Sequence, residues 1–150
     1  MNLISKILLF SILCFVVFGF TSNNPNQAIL GKWKTIDDET QKPSSIIEIY
    51  EVNGKVHGKL VELLQEGRDE NSLCTECSGK RKNQKILGME ILWDLKKESD
   101  KEWEDGEILD PNNGKTYSCQ VELESNDKLK VRGYIGFSLM GRTQYWYRVK

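Results

Sequence analysis

The chain has 150 residues, with 21 basic and 22 acidic side chains, a single histidine and a formal charge of -1. That length supports one domain with a single core. So balanced a charge offers no attraction to polyphosphates, which excludes a basic nucleic-acid-binding module. The densest basic stretch, residues 80–85, follows the acids Glu66, Asp69, Glu70 and Glu76 and reads as a solvated loop.

Residues 1–21 read as a secretory signal. Lys6 gives a short positive region, and residues 7–20 are apolar apart from Ser11 and Gly19. The run falls short of the about 20 residues that a helix needs to cross a bilayer core. Gly19 and Thr21 are small enough for cleavage, although no clean Ala-x-Ala is present; an uncleaved anchor is the alternative. Cys14 follows Leu13 within the continuing apolar run, which argues against lipid attachment. Polar residues 22–28 read as a linker, and residues 29–150 as one domain in the periplasm or outside the cell.

From residue 30 onward apolar residues recur at a period of two, the pattern of strands with one buried face. Residues 31–37 form a first strand, followed by a turn over 38–43. Strands at 45–52 and 55–64 flank Asn53-Gly54, which suits a type I′ hairpin because both residues tolerate positive φ. His57 lies just beyond that turn and reads as exposed. Residues 63–87 fit a short helix or an ordered loop equally well. Strands at 89–97 and 106–110 are separated by a charged turn, and Asp110-Pro111-Asn112-Asn113-Gly114 is a strong turn signal.

In 116–123, Tyr117, Cys119, Val121 and Leu123 share one face, which places Cys119 in the core as an inert thiol. Across the turn at 125–127, Leu129, Val131, Gly133 and Ile135 take the inner positions of the next strand. The last strand, 142–149, carries Arg142, Gln144, Trp146 and Arg148 on one face and Thr143, Tyr145, Tyr147 and Val149 on the other. Aromatics on both faces leave its inward side open. Phe137, Leu139 and Met140 lie between the last two strands, where apolar residues either fold back into the core, line a mouth, or touch a partner or membrane surface.

These elements predict an all-β domain, an antiparallel meander of about eight strands closed into a barrel so that no edge is left unpaired; a two-sheet sandwich is the alternative. A barrel of that size is filled by side chains or holds one small ligand.

Cys74 and Cys77 form a C-x-x-C pair in a polar loop, for which a disulfide is the default in an oxidising compartment. A redox motif would open a helix beside a βαβ pattern, and none is visible. Cys74, Cys77, Cys119 and His57 formally number the four ligands of a zinc site, but the disulfide is preferred and no metal or cofactor is expected. Asp37, Asp38 and Asp110 sit where aspartates cap turns. One histidine and no nucleophile elbow give a triad hydrolase little support, and an enzyme is not expected.

Three stretches look like more than generic strands. Gly31-Lys32-Trp33, Asp110-Pro111-Asn112-Asn113-Gly114-Lys115-Thr116-Tyr117 and Val131-Arg132-Gly133-Tyr134-Ile135-Gly136-Phe137-Ser138-Leu139-Met140-Gly141-Arg142-Thr143-Gln144-Tyr145-Trp146 resemble a family of small exported bacterial domains of unknown function. The resemblance spans residues 29–150; it implies domain limits and export, and no activity. Gly31-x-Trp33 is also similar to the calycin barrels, the lipocalin and fatty-acid-binding group, whose last strand supplies an Arg that packs across the Trp. Arg142 or Arg148 fills that place here. Together these readings predict a binding module for a small apolar or amphipathic ligand, with Trp33, Tyr134, Arg142, Gln144 and Trp146 as contacts. The alternative is a cell-envelope structural or interaction domain with a filled barrel and Phe137, Leu139 and Met140 as its contact surface.

Overall fold

The computed structural model describes residues 24–137 and 139–150, so the signal read at 1–21 lies outside the described residues. Eight strands follow in order: β1 Gly31–Ile36, β2 Pro43–Val52, β3 Lys55–Leu63, β4 Glu90–Lys97, β5 Glu102–Asp110, β6 Lys115–Ser125, β7 Lys128–Tyr134 and β8 Gly141–Arg148. Each pairs antiparallel with the next. β8 then returns to β1 through Trp33↔Arg148, Lys34↔Tyr147 and Thr35↔Trp146, which closes the sheet into a barrel. Closure leaves no exposed sheet edge, so the barrel and not the sandwich is the fold.

Alternation sets which residues fill it. In β6 Cys119, Val121 and Leu123 are buried, and in β7 Leu129 and Val131. Burial pushes the Cys119 thiol up to about 12, so at neutral pH it is a protonated core group and not a nucleophile. The turn at Asn53 and Gly54 has φ of 51° and 79°, the pair of left-handed residues expected for type I′.

Two strands break the period. Asp94 in β4 and Asp105 in β5 have φ of 62° and 58°, and the β5–β6 register shifts between Trp103 and Gly106. Such bulges insert a residue and bend the strand. Trp103, Gly106 and Leu109 therefore face inward at every third position. This corrects the expected limits of β5, which starts at Glu102 and not at 106.

Three other expectations are corrected. His57 is half-buried on the outer face, its Nδ1 3.2 Å from Glu90 Oε2 and its ring stacked 5.9 Å from that of Tyr50. Tyr50 donates its hydroxyl to the same carboxylate oxygen at 2.6 Å; burial first, and then Glu90, pushes its pKa to about 12. Ile135 lies beyond β7 and is 65% exposed, because the chain turns after Tyr134. Phe137, Leu139 and Met140 do not fold back into the core.

The barrel is plugged at the end bearing the β2–β3, β4–β5 and β6–β7 turns. Part of the stretch read as linker belongs to this plug. The Asn26 amide donates to Glu51 Oε2 at 2.7 Å and to the Gly54 carbonyl at 3.2 Å, and its oxygen accepts from Trp103 Nε1 at 2.7 Å. Trp33 is fully buried and donates Nε1 to the Ile29 carbonyl at 2.8 Å. The Arg148 guanidinium stands 4.1 Å over the Trp33 ring and donates to the carbonyls of Asn126, Leu30 and Ala28 at 2.6, 3.0 and 2.7 Å. Arg148, and not Arg142, is thus the arginine that crosses the indole.

Candidate functional site

The other end is open, and the loops after β1, β3, β5 and β7 surround it. Here the barrel holds a cavity of about 150 Å³. Its apolar wall includes Ile47, Leu60, Ile91, Leu109 and Val131, and its polar groups include Thr35, Ser45 and Gln144. Trp146, only 1% exposed, completes the wall on β8.

Register explains the polar stripe. Thr35 pairs with Trp146 across β1–β8 and with Ser45 across β1–β2. The two hydroxyls lie 2.8 Å apart, and Thr35 Oγ1 also reaches the Ser45 carbonyl at 3.4 Å. Two buried hydroxyls that satisfy each other can remain inside an otherwise apolar barrel.

The long β3–β4 connection, residues 64–89, folds across one side of the mouth. It contains one 3-10 turn, Gly79–Arg81, so the ordered-loop alternative describes it better than a helix. Cys74 and Cys77 are disulfide-bonded and buried, and Leu73 bridges Lys85. Arg68 donates to Asn112 Oδ1 at 2.6 Å, tying the loop to the β5–β6 turn. From this loop Gln65, Arg68 and Ile86 reach the cavity wall. The zinc alternative fails on geometry, since two of its cysteines are oxidised, Cys119 lies inside the barrel and His57 lies outside it.

The rim is charged but balanced, with Asp37 and Asp110 beside Arg68 and Arg142. The Arg142 guanidinium is ion-paired with Asp38. Asp37 is held below the usual carboxylate range, chiefly by the backbone N–H of Thr40 and then by its hydroxyl. Asp110 accepts from the Asn112 backbone N–H at 2.9 Å, so both act as turn caps.

The five expected contact residues divide three ways. Arg142, Gln144 and Trp146 come together at the cavity, which shows that this face of β8 points inward. Trp33 lies at the plugged end, under Arg148. Tyr134 alternates to the face of β7 opposite Val131 and Gly133 and does not contribute to the cavity wall. Thr35, Ser45, Arg68 and Ile86 join the cavity wall in addition to the expected contacts. Thr35 was readable, being two residues beyond Trp33 on the same strand face. Arg68 and Ile86 had no periodic signal.

A closed eight-stranded antiparallel barrel, plugged at one end beneath a Gly-x-Trp and its arginine and open at the other, is a lipocalin-like barrel. The chain belongs to the DUF2147 family, described as an uncharacterized protein conserved in bacteria, whose family model matches residues 31–148. Among solved structures, protein HP1028 from the human pathogen Helicobacter pylori, described as belonging to the lipocalin family, aligns with a TM-score of 0.72 at 25% identity, covering 81% of this chain and 82% of its own. A redesigned β-barrel aligns with a TM-score of 0.49 at 14% identity, covering 85% of this chain and 96% of its own. No curated protein matches the sequence.

Proposed function

We propose that this protein is an exported, non-enzymatic binding module that holds a small apolar or amphipathic ligand in the open end of its barrel. The observation that carries the reading is the cavity itself, a chamber that joins an apolar wall to a polar stripe and a charged rim. Export is supported by the apolar run after Lys6 and by the Cys74–Cys77 disulfide, a bond characteristic of oxidising compartments.

The test is a native mass spectrum of the protein purified from the exported fraction of its own cells. A stoichiometric adduct that leaves on extraction into organic solvent is the expected result. The bare polypeptide mass, less two hydrogens for one disulfide, would overturn the carrier reading. Arg142→Ala is expected to reduce the adduct-bearing fraction about tenfold, the effect of losing one charged rim contact. Its thermal midpoint should barely move, because the Arg142–Asp38 pair is a surface ion pair.

One observation favours a second reading, an interaction domain. Phe137, Leu139 and Met140 are 80%, 90% and 76% exposed on the loop beyond β7, at the open end. Three large apolar side chains together on a loop mark a contact surface. In that case Leu139→Ser with Met140→Ser should abolish crosslinking to an envelope partner while the melting temperature stays unchanged. Crosslinking that survives both changes would remove this reading.

A further inference from the structure

We propose that the polar end of the guest is a neutral group carrying a hydrogen-bond donor beside an acceptor, a primary carboxamide or a lactam, and that the side-chain amide of Gln144 recognises it. The inference rests on the ligand-binding reading above and adds the chemical class of the guest.

Gln144 is the neutral polar side chain that β8 turns into the chamber. It lies between Arg142 at the mouth and Trp146 deeper in, about 7 Å from each along the strand. Across the β7–β8 register it pairs with Val131. Val131 and Trp146 are buried, whereas Gln144 is only half-buried. An inward side chain of a closed barrel has only the interior space to open onto, so this exposure is exposure to the cavity. The Trp146 indole N–H is shut off from any guest by its own burial.

The Gln144 amide is also unspent. Its NH₂ and its carbonyl oxygen offer donors and an acceptor at one site, and among the described residues no side chain or backbone group engages them. The groups around it are already engaged. The Thr35 and Ser45 hydroxyls bind each other at 2.8 Å. Arg142 is ion-paired with Asp38, and Arg68 donates to Asn112 Oδ1 at 2.6 Å. Asp37 accepts from the backbone N–H and hydroxyl of Thr40, and Asp110 accepts from Asn112 and Asn113. The complement of a free amide edge is the same edge reversed. A guest carbonyl accepts from Gln144 Nε2 while a guest N–H donates to Oε1, and a primary carboxamide or a lactam presents both side by side. A ketone or an ether answers only half of that edge.

Charge and size narrow the class further. Asp37 and Asp110 stand at the rim beside Arg68 and Arg142, so a net charge of either sign meets attraction and repulsion together. Carrying that charge below the rim would cost hydration that no free countercharge repays, which favours a neutral head. A chamber of about 150 Å³ matches an engineered apolar cavity that holds benzene, so a six-membered ring fits.

The experiment titrates the full folded protein with δ-valerolactam and, separately, with cyclohexanone, which keeps the ring and the carbonyl but has no N–H. Binding is followed by NMR, including the side-chain NH₂ resonances of Gln144. The lactam is expected to move those resonances further than cyclohexanone does. Gln144→Met, close in shape and without the amide, is expected to lower the lactam-to-ketone affinity ratio about tenfold. Taking the ratio cancels the unequal hydration of the two probes. If that variant does not fold, the Gln144 resonances of the wild type decide alone. Binding of both probes with an unchanged ratio and unmoved Gln144 resonances would overturn the amide inference and leave the cavity reading standing. Binding of neither would overturn both.

Discussion

Trp33→Ala is expected to cost about 3–5 kcal/mol, the range for deleting a fully buried tryptophan. Against the roughly 5–15 kcal/mol that holds a domain of this kind together, that is a large share of the total stability. The loss goes beyond ring volume. The Trp33 ring is the surface on which the Arg148 guanidinium rests at 4.1 Å, and Arg148 in turn binds three carbonyls from Ala28, Leu30 and Asn126. Without the indole that guanidinium loses its platform, and the Ile29 carbonyl loses its donor. Urea unfolding followed by far-UV circular dichroism gives the measurement. A midpoint close to wild type would mean that the plug stands without the indole. Trp33→Phe, which keeps an aromatic face under the cation, should cost distinctly less.

The second large effect is expected at Gly114, where the β5–β6 turn meets the disulfide loop. Its φ is +69°, and a Cβ there would lie 1.9 Å from the Glu76 carbonyl oxygen and 2.3 Å from its carbon. Holding a non-glycine residue in that conformation costs about 1–3 kcal/mol. The clash adds to this, because the obstacle is backbone one residue from a disulfide and no rotamer relieves it. Gly67→Ala is the control: its φ is +80°, yet nothing lies within 4 Å of the added carbon. Gly114→Ala should therefore destabilise well beyond Gly67→Ala in the same urea experiment. Amide exchange at Cys74, Asn83 and Ile86, which anchor the loop's internal hydrogen bonds, should also quicken only in the Gly114 variant. Equal losses in the two variants would mean that the loop does not seat against this turn.

Much of this architecture is legible in the residues, and the exceptions have physical causes. Alternation exposes β6 and β7 because each buries one face without interruption. It fails in β5, where Asp105 at positive φ shifts the inward set from every second to every third residue and makes Glu102–Asp105 look like part of a turn. Ile135 continues the inward count from Gly133, but the strand ends at Tyr134. A pattern does not announce where it stops.

The site was legible to the extent that strands build it. Arg142, Gln144 and Trp146 follow from one face of β8, although aromatics on both sides hid which face points in. Tyr134, three residues beyond Val131, falls on the other face of β7, because side chains alternate along a strand. The loop contributions of Arg68 and Ile86 depend on how residues 64–89 fold back, which a disulfide and a single close approach at Gly114 determine. Periodicity carries no information about either.

The seam between β1 and β8 also has a kinetic consequence. The contacts that close the barrel, Trp33 with Arg148 and Thr35 with Trp146, join the first strand to the last. None of them can form until translation has delivered β8. Each earlier hairpin can pair with its neighbour as it emerges, but the β1 edge stays open and Trp33 uncapped throughout synthesis. Bringing these distant segments together is an entropic step over more than a hundred residues, so ring closure is expected to come late and to set the pace of folding. A nascent chain built this way stays unlocked until its final strand arrives.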